Sequence, residues 1–269
     1  MAQEIHPTAI VDPGAQLGKD VVVGPFSIVE DNVVIGDGTT IGSHVLIKAH
    51  TTIGRSNRIH SYAFVGGDPQ DLKYAGEPTT LVIGDNNSIR EFTTLHRGTV
   101  SGSGTTIVGN HCLLMAYVHI AHDCVLGDSV ILSNAVMLAG HVLLGDHVVV
   151  GGMTGIHQFV SMGEYSFAGG MSGVAQDIPP YMLSVGNRAK IHGPNAIGLR
   201  RQGFTIETVT ALRNAYRKIW RSDIPRQEAL EEVEQESGSL PEIKKLLDFV
   251  RGSERGVASA AKNGSFNDN

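Results

Sequence analysis

Every sixth residue of this chain is aliphatic, and that period leaves few folds open. The series runs Ile5, Val11, Leu17, Val23, Val29, Ile35, Ile41, Ile47, Ile53, Ile59 and Val65. It resumes at Ile83, Ile89 and Leu95, then slips by one residue. From Val108 it continues through Leu114, Ile120, Leu126, Leu132, Leu138, Leu144, Val150, Ile156, Met162 and Ala168 to Val174. Of these 26 positions 24 are Ile, Leu or Val, and Gly follows 13 of them, which is too regular for chance clustering. A period of six fits neither an α-helix nor a heptad. It fits a parallel β-helix in which each hexad supplies one strand and one turn and three hexads close a triangular coil. Residues 18 apart then stack, the aliphatic side chain points inward, and Gly is expected to permit the turn beside it.

The composition agrees. Aromatics are 6% with a single Trp, so the core has to be built from Val, Ile, Leu and Ala in narrow layers. Hydrophobic residues at 41% and charged residues at 18% exclude a disordered chain. No apolar run approaches the roughly 18 residues of a membrane helix, so no transmembrane segment is expected. The start, MAQEIHPTAIV, lacks an export signature, and Cys112 and Cys124 are too few for a disulfide scaffold. A cytoplasmic protein is expected. The net charge of −6 argues against nucleic acid as a partner.

Two stretches break the period. Residues 66–82, GGDPQDLKYAGEPTTLV, and residues 96–107, HRGTVSGSGTTI, read as excursion loops. Loops ejected from a rigid scaffold often carry function, and the first mixes Asp71, Lys73 and Tyr74. The repeat ends near Asp177-Ile178-Pro179-Pro180. Beyond it Ile206, Val209, Leu212, Tyr216, Ile219 and Trp220 follow helical spacing behind Thr205 as N-cap, and Pro225 and Pro241 each open a further helix. The expected organisation is therefore a β-helix over 1–190 and a helical domain over 191–269, with a frayed tail from Lys262.

Spacing alone gathers one set of chemical groups. Gly140 lies 18 residues after His122, His141 lies 18 after Asp123, and Gln158 lies 18 after Gly140. These five form one stripe across three coils, with His119 and His157 beside it. A ladder of solvated histidines has the same spacing. The stripe also holds the parts of an acyl-transfer site. An imidazole, with an ordinary pKa near 6.5, makes His122 a candidate general base. Asp123 can orient the ring, and Gly140 can offer an unobstructed N–H to an oxyanion. No protein nucleophile is needed if an acceptor hydroxyl attacks directly.

The segments HIAHDC and LAGH, the loop QDLKYAGEPT, the runs GGMTGIHQF and GGMSGVAQDIPPY, and the helical appendage together resemble the UDP-N-acetylglucosamine acyltransferase family. The likeness covers nearly the whole chain. It implies an all-β left-handed parallel β-helix, a hexapeptide-repeat solenoid, with a C-terminal α-helical domain. It implies transfer of an (R)-3-hydroxyacyl chain from acyl carrier protein to the glucosamine 3-hydroxyl of UDP-N-acetylglucosamine, the first step of lipid A biosynthesis. It also implies a homotrimer with active sites between subunits. No metal and no cofactor is expected beyond the 4'-phosphopantetheine that arrives on the carrier. The resemblance makes His122 the base, Asp123 its partner and the Gly140 N–H the oxyanion donor. It assigns substrate contacts to Gln70, Asp71, Lys73, His119, His141, His157, Gln158, Asn195 and Arg201, and the limit on acyl length to Gly170. Two positions depart from the pattern: Tyr117 stands where Asn occurs, and Ile197 stands where an acidic nucleotide contact occurs.

The charge distribution adds a partner surface. Residues 188–226 hold nine Lys and Arg against Glu207 and Asp223, a local +7 in a chain of −6. A basic patch on an acidic protein suits an acidic carrier protein or phosphates. Three other readings compete. A γ-class carbonic anhydrase-like solenoid would use His119, His122 and His141 on zinc, but leaves QDLKY and the helices without a role. A non-catalytic structural solenoid leaves the stripe unexplained. The lipid A N-acyltransferases usually carry an extra N-terminal domain, for which a repeat beginning at Ile5 leaves no room.

Overall fold

A computed structural model describes residues 3–262, and most of the frayed tail expected from Lys262 lies outside the described residues. Among the described residues short strands, mostly of two residues, form three sheets of 11, 9 and 8 strands, parallel throughout except for the last pair of the first. The first sheet begins with Glu4–Ile5, the second with Ile10–Val11 and the third with Gln16–Leu17. The chain visits them in that order and repeats. The pairing Ile5↔Val23 and Ile10↔Ile28 sets the 18-residue coil. This is the left-handed parallel β-helix that the resemblance implied.

The inward series makes the core: Val23, Ile35, Ile47, Ile59, Leu95, Ile120 and Leu138 are all essentially inaccessible. Burying each such side chain contributes about 1.5–3 kcal/mol. A second series two residues earlier fills the corners. It includes Ser27, Thr39, Asn57 and Asn87, which donate to carbonyls of the neighbouring coil, for example Ser27 Oγ to Gly42 O at 2.7 Å. Cys112 and Cys124 belong to this series, buried and free.

Glycine acts differently from the expectation. Gly24, after Val23, is not left-handed; a Cβ there would stand 2.6 Å from the Gly42 carbonyl oxygen, so glycine lets successive coils close. Most left-handed residues of the coils are non-glycine and lie two positions on, such as Phe26 at φ 59° and Asp123 at φ 59°, with Gly38 at φ 69° in the same place and Gly66 at φ 82° directly after Val65. A repeated hydrogen bond to the coil before, such as His141 N–H to His122 O at 3.0 Å, holds them there.

The corner between the first and second sheets carries exposed rings in a stack. Phe26, His44, Tyr62, Phe92 and Tyr117 follow one another at centroid spacings of 5.0, 5.0, 5.1 and 5.0 Å. Both excursions leave instead from the corner between the second and third sheets. The first spans 68–79, because Phe64–Gly67 and Thr80–Ile83 remain strands. The second spans 97–104, between Thr94–His96 and Thr105–Val108.

The last strand of the first sheet, Lys190–Pro194, pairs antiparallel with Met182–Val185 and closes the top of the prism. Among the described residues four helices follow: α1 (Ala196–Arg201), α2 (Ile206–Arg221), α3 (Arg226–Ser237) and α4 (Pro241–Gly252). Thr205 caps α2 by accepting from Thr208 N–H, Pro225 precedes α3, and Pro241 opens α4. The chain then returns to the solenoid through bridges Asp177↔Val257 and Ile191↔Ala260.

Candidate active site

The turn Ala121-His122-Asp123-Cys124 lies at the second–third corner, between strands His119–Ile120 and Val125–Leu126. Ile120, Cys124 and Leu126 are fixed in the core, which leaves His122 and Asp123 at the rim. The next coils bring Gly140 and His141, then Gln158 and Phe159, onto the same corner. Phe159 N–H donates to Gly140 O at 3.2 Å, continuing the bond from His141 to His122. The stripe read from spacing therefore exists.

His122 Nδ1 and Asp123 Oδ2 are 2.8 Å apart. Both residues are buried, under the second excursion and the following coil. Burial alone would raise the Asp123 pKa, but hydrogen bonds from Thr99 and His122 outweigh it and hold the carboxyl below the usual range. An ionised carboxylate only accepts, so His122 must carry its proton on Nδ1 when neutral, and Nε2 is left unprotonated and able to accept a proton. Gly140 lies against that edge: a Cβ there would be 2.7 Å from Nε2. His141 meets His122 edge-on at 5.0 Å and stacks on Phe159 at 4.5 Å. Burial depresses the His141 pKa, against the pull of Asp123 and Asp71.

Cys124, though next to Asp123, supplies no nucleophile. Burial pushes its thiol up to about 12, and Sγ donates to Ala139 O at 3.1 Å.

The first excursion carries Asp71, whose charge acts on His141 against the effect of burial. Gln70 and Lys73 are exposed on the same loop, and Leu72 is fully exposed between Asp71 and Lys73. Arg97, itself buried, ties this loop down. Its guanidinium donates to Gly66 O at 2.8 Å, Asp68 Oδ1 at 2.5 Å and Tyr74 Oη at 2.8 Å. His119 faces the second-sheet side, bonded to Thr94 Oγ1 at 2.8 Å, and burial with His96 nearby pushes its pKa down to about 4.

Two grooves flank the corner. One of about 560 Å³ on the third-sheet side is lined by Asp123, His141, Phe159, Phe249 and Arg255. The other, about 460 Å³ on the second-sheet side, is lined by His119, Gly155, His157, Gly173 and Arg188. Arg255 reaches His157 Nδ1 at 2.8 Å.

Three predicted residues stand elsewhere within the chain. Gly170 is in the first–second corner, where it lies against Gly152. Asn195 caps α1 and donates to Tyr165 O at 3.1 Å, and Arg201 ends that helix. Tyr117 tops the ring stack and so also belongs to the first–second corner, while Ile197 is exposed on α1. Sequence reasoning missed Thr99, Gly102, Ser103, Arg97 and Arg255. Its only signal for the first three was the Gly- and Ser-rich composition of the second loop.

Among the described residues the group with ligand atoms mutually within 4.8 Å is His122, Asp123 and His141. It omits His119, which the zinc reading required, and its carboxylate already accepts from His122 and Thr99.

Comparison with known proteins places the chain among relatives. Residues 177–258 match the family model for domain 2 of UDP-N-acetylglucosamine O-acyltransferase, and 14–49 and 105–140 match bacterial transferase hexapeptide repeats. The acyl-[acyl-carrier-protein]–UDP-N-acetylglucosamine O-acyltransferase of Cupriavidus metallidurans is 62% identical over 263 residues, 94% of this chain and 98% of that protein. The enzyme of the same name from Thermodesulfovibrio yellowstonii is 47% identical over 94% of this chain and 98% of its own length. A solved UDP-N-acetylglucosamine O-acyltransferase from Moraxella catarrhalis superposes with TM-score 0.92 at 48% identity, covering 94% of this chain and 99% of that one. The Acinetobacter baumannii structure gives 0.91 at 47%, with the same coverage.

Proposed function

Because the chain belongs to the UDP-N-acetylglucosamine O-acyltransferase family, we propose that the His122 corner carries out the transfer of an acyl group from acyl carrier protein to UDP-N-acetylglucosamine. The chain is an acyltransferase. In the proposed step His122 Nε2 takes the proton of the glucosamine 3-hydroxyl as that oxygen attacks the thioester carbonyl of the (R)-3-hydroxyacyl chain. The Gly140 N–H stabilises the tetrahedral oxyanion. The C–S bond then breaks, the imidazolium returns the proton to the departing pantetheine thiolate, and an ester remains. Asp123 holds the tautomer and stabilises the imidazolium.

The observation that carries this reading is the buried 2.8 Å His122–Asp123 pair, with Nε2 facing a residue that has no side chain. Asp71 and Lys73, with Gln70, His141 and Gln158, are assigned to the nucleotide sugar. The 4'-phosphopantetheine of the carrier supplies the acyl thioester, and no metal or other cofactor takes part.

A homotrimer completes the site. Gly170, Asn195 and Arg201 stand away from the His122 corner of their own chain, and the exposed ring stack and Leu72 are surfaces that a second copy would cover. No helix among the described residues is long and apolar enough to cross a membrane, and a cytoplasmic enzyme acting early in lipid A synthesis fits that. The test is purified protein incubated with UDP-N-acetylglucosamine and a ladder of 3-hydroxyacyl carrier proteins, with products read by mass. Absence of an O-acylated product at every chain length would sink the reading.

A further inference from the structure

The second excursion closes on a single acceptor. The Thr99 N–H lies 3.1 Å from each Asp123 oxygen, and the Thr99 hydroxyl donates to Oδ2 at 2.7 Å. The Ser103 N–H donates to Oδ1 at 3.0 Å. The Ser103 hydroxyl is shared between Oδ1 at 3.2 Å and Thr105 O at 2.8 Å, and has one proton for the two. The loop is in turn fixed to the solenoid, through Thr80 N–H to Gly104 O at 2.9 Å and Gly98 N–H to Thr80 O at 3.1 Å. Gly102 lies so close that a Cβ on it would be 2.6 Å from both Asp123 oxygens.

We propose that residues 97–104 form a carboxylate clamp in which Thr99, Ser103 and the bare Gly102 are positioning residues for catalysis, acting through Asp123. The proposal rests on the reading of His122 and Asp123 as base and partner. A carboxylate at the corner of a solenoid has free rotation about two side-chain bonds. Directed donors on both oxygens remove that freedom and leave Oδ2 facing His122 Nδ1. The imidazole then presents Nε2 in one orientation, and fixed geometry of this kind lowers the barrier without touching substrate. This gives the second loop a task and explains why its sequence is small and hydroxylated: a larger residue at 102 would occupy the carboxylate's place.

The test is a double-mutant cycle on the full-length enzyme with steady-state kinetics for both substrates. Thr99→Val removes the hydroxyl donor and keeps the N–H. It should lower kcat about 10-fold, the size of one hydrogen bond to a charged group. Both KM values should stay within about twofold, and Thr99→Ser should restore most of the rate. In an Asp123→Ala background the same Thr99→Val change should have less than about twofold effect, because its route is gone. Gly102→Ala provides a second approach, since the atom that must yield is the carboxylate itself. It should lower kcat with KM unchanged. A Thr99→Val enzyme at wild-type rate, or an equal 10-fold loss with and without Asp123, would overturn the clamp while leaving the base in place. Full activity of Asp123→Ala would overturn the base–partner reading and the clamp with it.

Discussion

Gly140 stands one coil above His122, and a Cβ on Gly140 would lie 2.5 Å from His122 Cε1 and 2.7 Å from Nε2. The absence of that atom leaves room for the ring and for an acceptor hydroxyl at its Nε2 edge. Gly140→Ala should therefore act on the proposed base as well as on the proposed oxyanion donor. A loss of about 10²–10³-fold in kcat is expected, the range seen when one oxyanion donor is removed. The melting temperature should change little, because the site is at a corner and not in the core. Activity within threefold of wild type would remove Gly140 from the mechanism.

His122→Ala removes the proposed base. Turnover should fall about 10²–10⁴-fold while circular dichroism shows the solenoid still folded, since the side chain lies outside the aliphatic stack. Dialysis against a chelator should leave the wild-type rate unchanged. Activity lost to the chelator and restored by zinc would favour a metal at His122, Asp123 and His141 instead.

The histidines also set how stability depends on pH. Burial lowers His119 to about 4, whereas an unfolded histidine titrates near 6.5. Between those values the unfolded chain binds the extra proton, so stability present above pH ~6.5 is lost as the pH falls towards ~4. Asp123, held below the carboxylate range, loses its contribution in the same direction, below pH ~4 as it protonates. The His119 part is about 1–2 kcal/mol once its partial exposure is allowed for. Thermal melts at a fixed protein concentration should fall by several degrees from pH ~7 to ~5. His119→Gln should flatten that dependence. An unaltered slope in the variant would show that another group carries it.

Much of the fold was legible because a solenoid converts sequence distance directly into spatial distance. Ile5 to Val23, or His122 to Gly140, needs only the coil length. The same arithmetic located Gln158 on the stripe. It failed where the chain leaves the lattice. Thr99 comes 24 residues before Asp123, a spacing set by an ejected loop and not by the coil. Arg97 reaches back 48 residues to Ala49 for a similar reason. Arg255 returns from the far end of α4, beyond any period. The part played by glycine was misread because composition cannot distinguish a residue that turns the chain from one that lets two coils touch. Gly24 does the second, and Phe26 takes the left-handed turn.

Assembly is the fourth prediction. Phe26, Tyr62, Phe92 and Tyr117 are exposed in one continuous stack on an otherwise regular prism. Contiguous apolar surface of this kind usually marks a contact. Sedimentation should give about three times 28.6 kDa. The double variant Tyr62→Asp, Phe92→Asp should shift the protein to a smaller species and lose activity with it. A stable and fully active monomer would contradict a site shared between copies.

The carrier surface gives the last prediction. The basic residues of 188–226 are not equally available. Lys218 is paired with Glu232 and Glu236 at 2.7 and 2.6 Å, and Arg221 donates to Tyr216 Oη at 3.0 Å. Arg213 and Arg217, by contrast, are exposed one turn apart on α2, and no carboxylate among the described residues pairs with either. With Arg188, Arg201 and Arg226, which are also exposed without a carboxylate partner among the described residues, they are charges free to meet an acidic protein. Charge reversal, Arg213→Glu with Arg217→Glu, should raise KM for acyl carrier protein about 10-fold or more, since like charges then face each other across the contact. KM for UDP-N-acetylglucosamine should hold within about twofold, because these residues lie on the helix and away from the His122 corner. The wild-type carrier KM should also rise with salt, which screens exposed charges beyond about 8 Å at physiological ionic strength, and the double variant should lose most of that dependence. A solvated helix face predicts no change in either constant. An equal rise in both would place the damage in the assembly or the nucleotide site, and the carrier would then have to dock elsewhere.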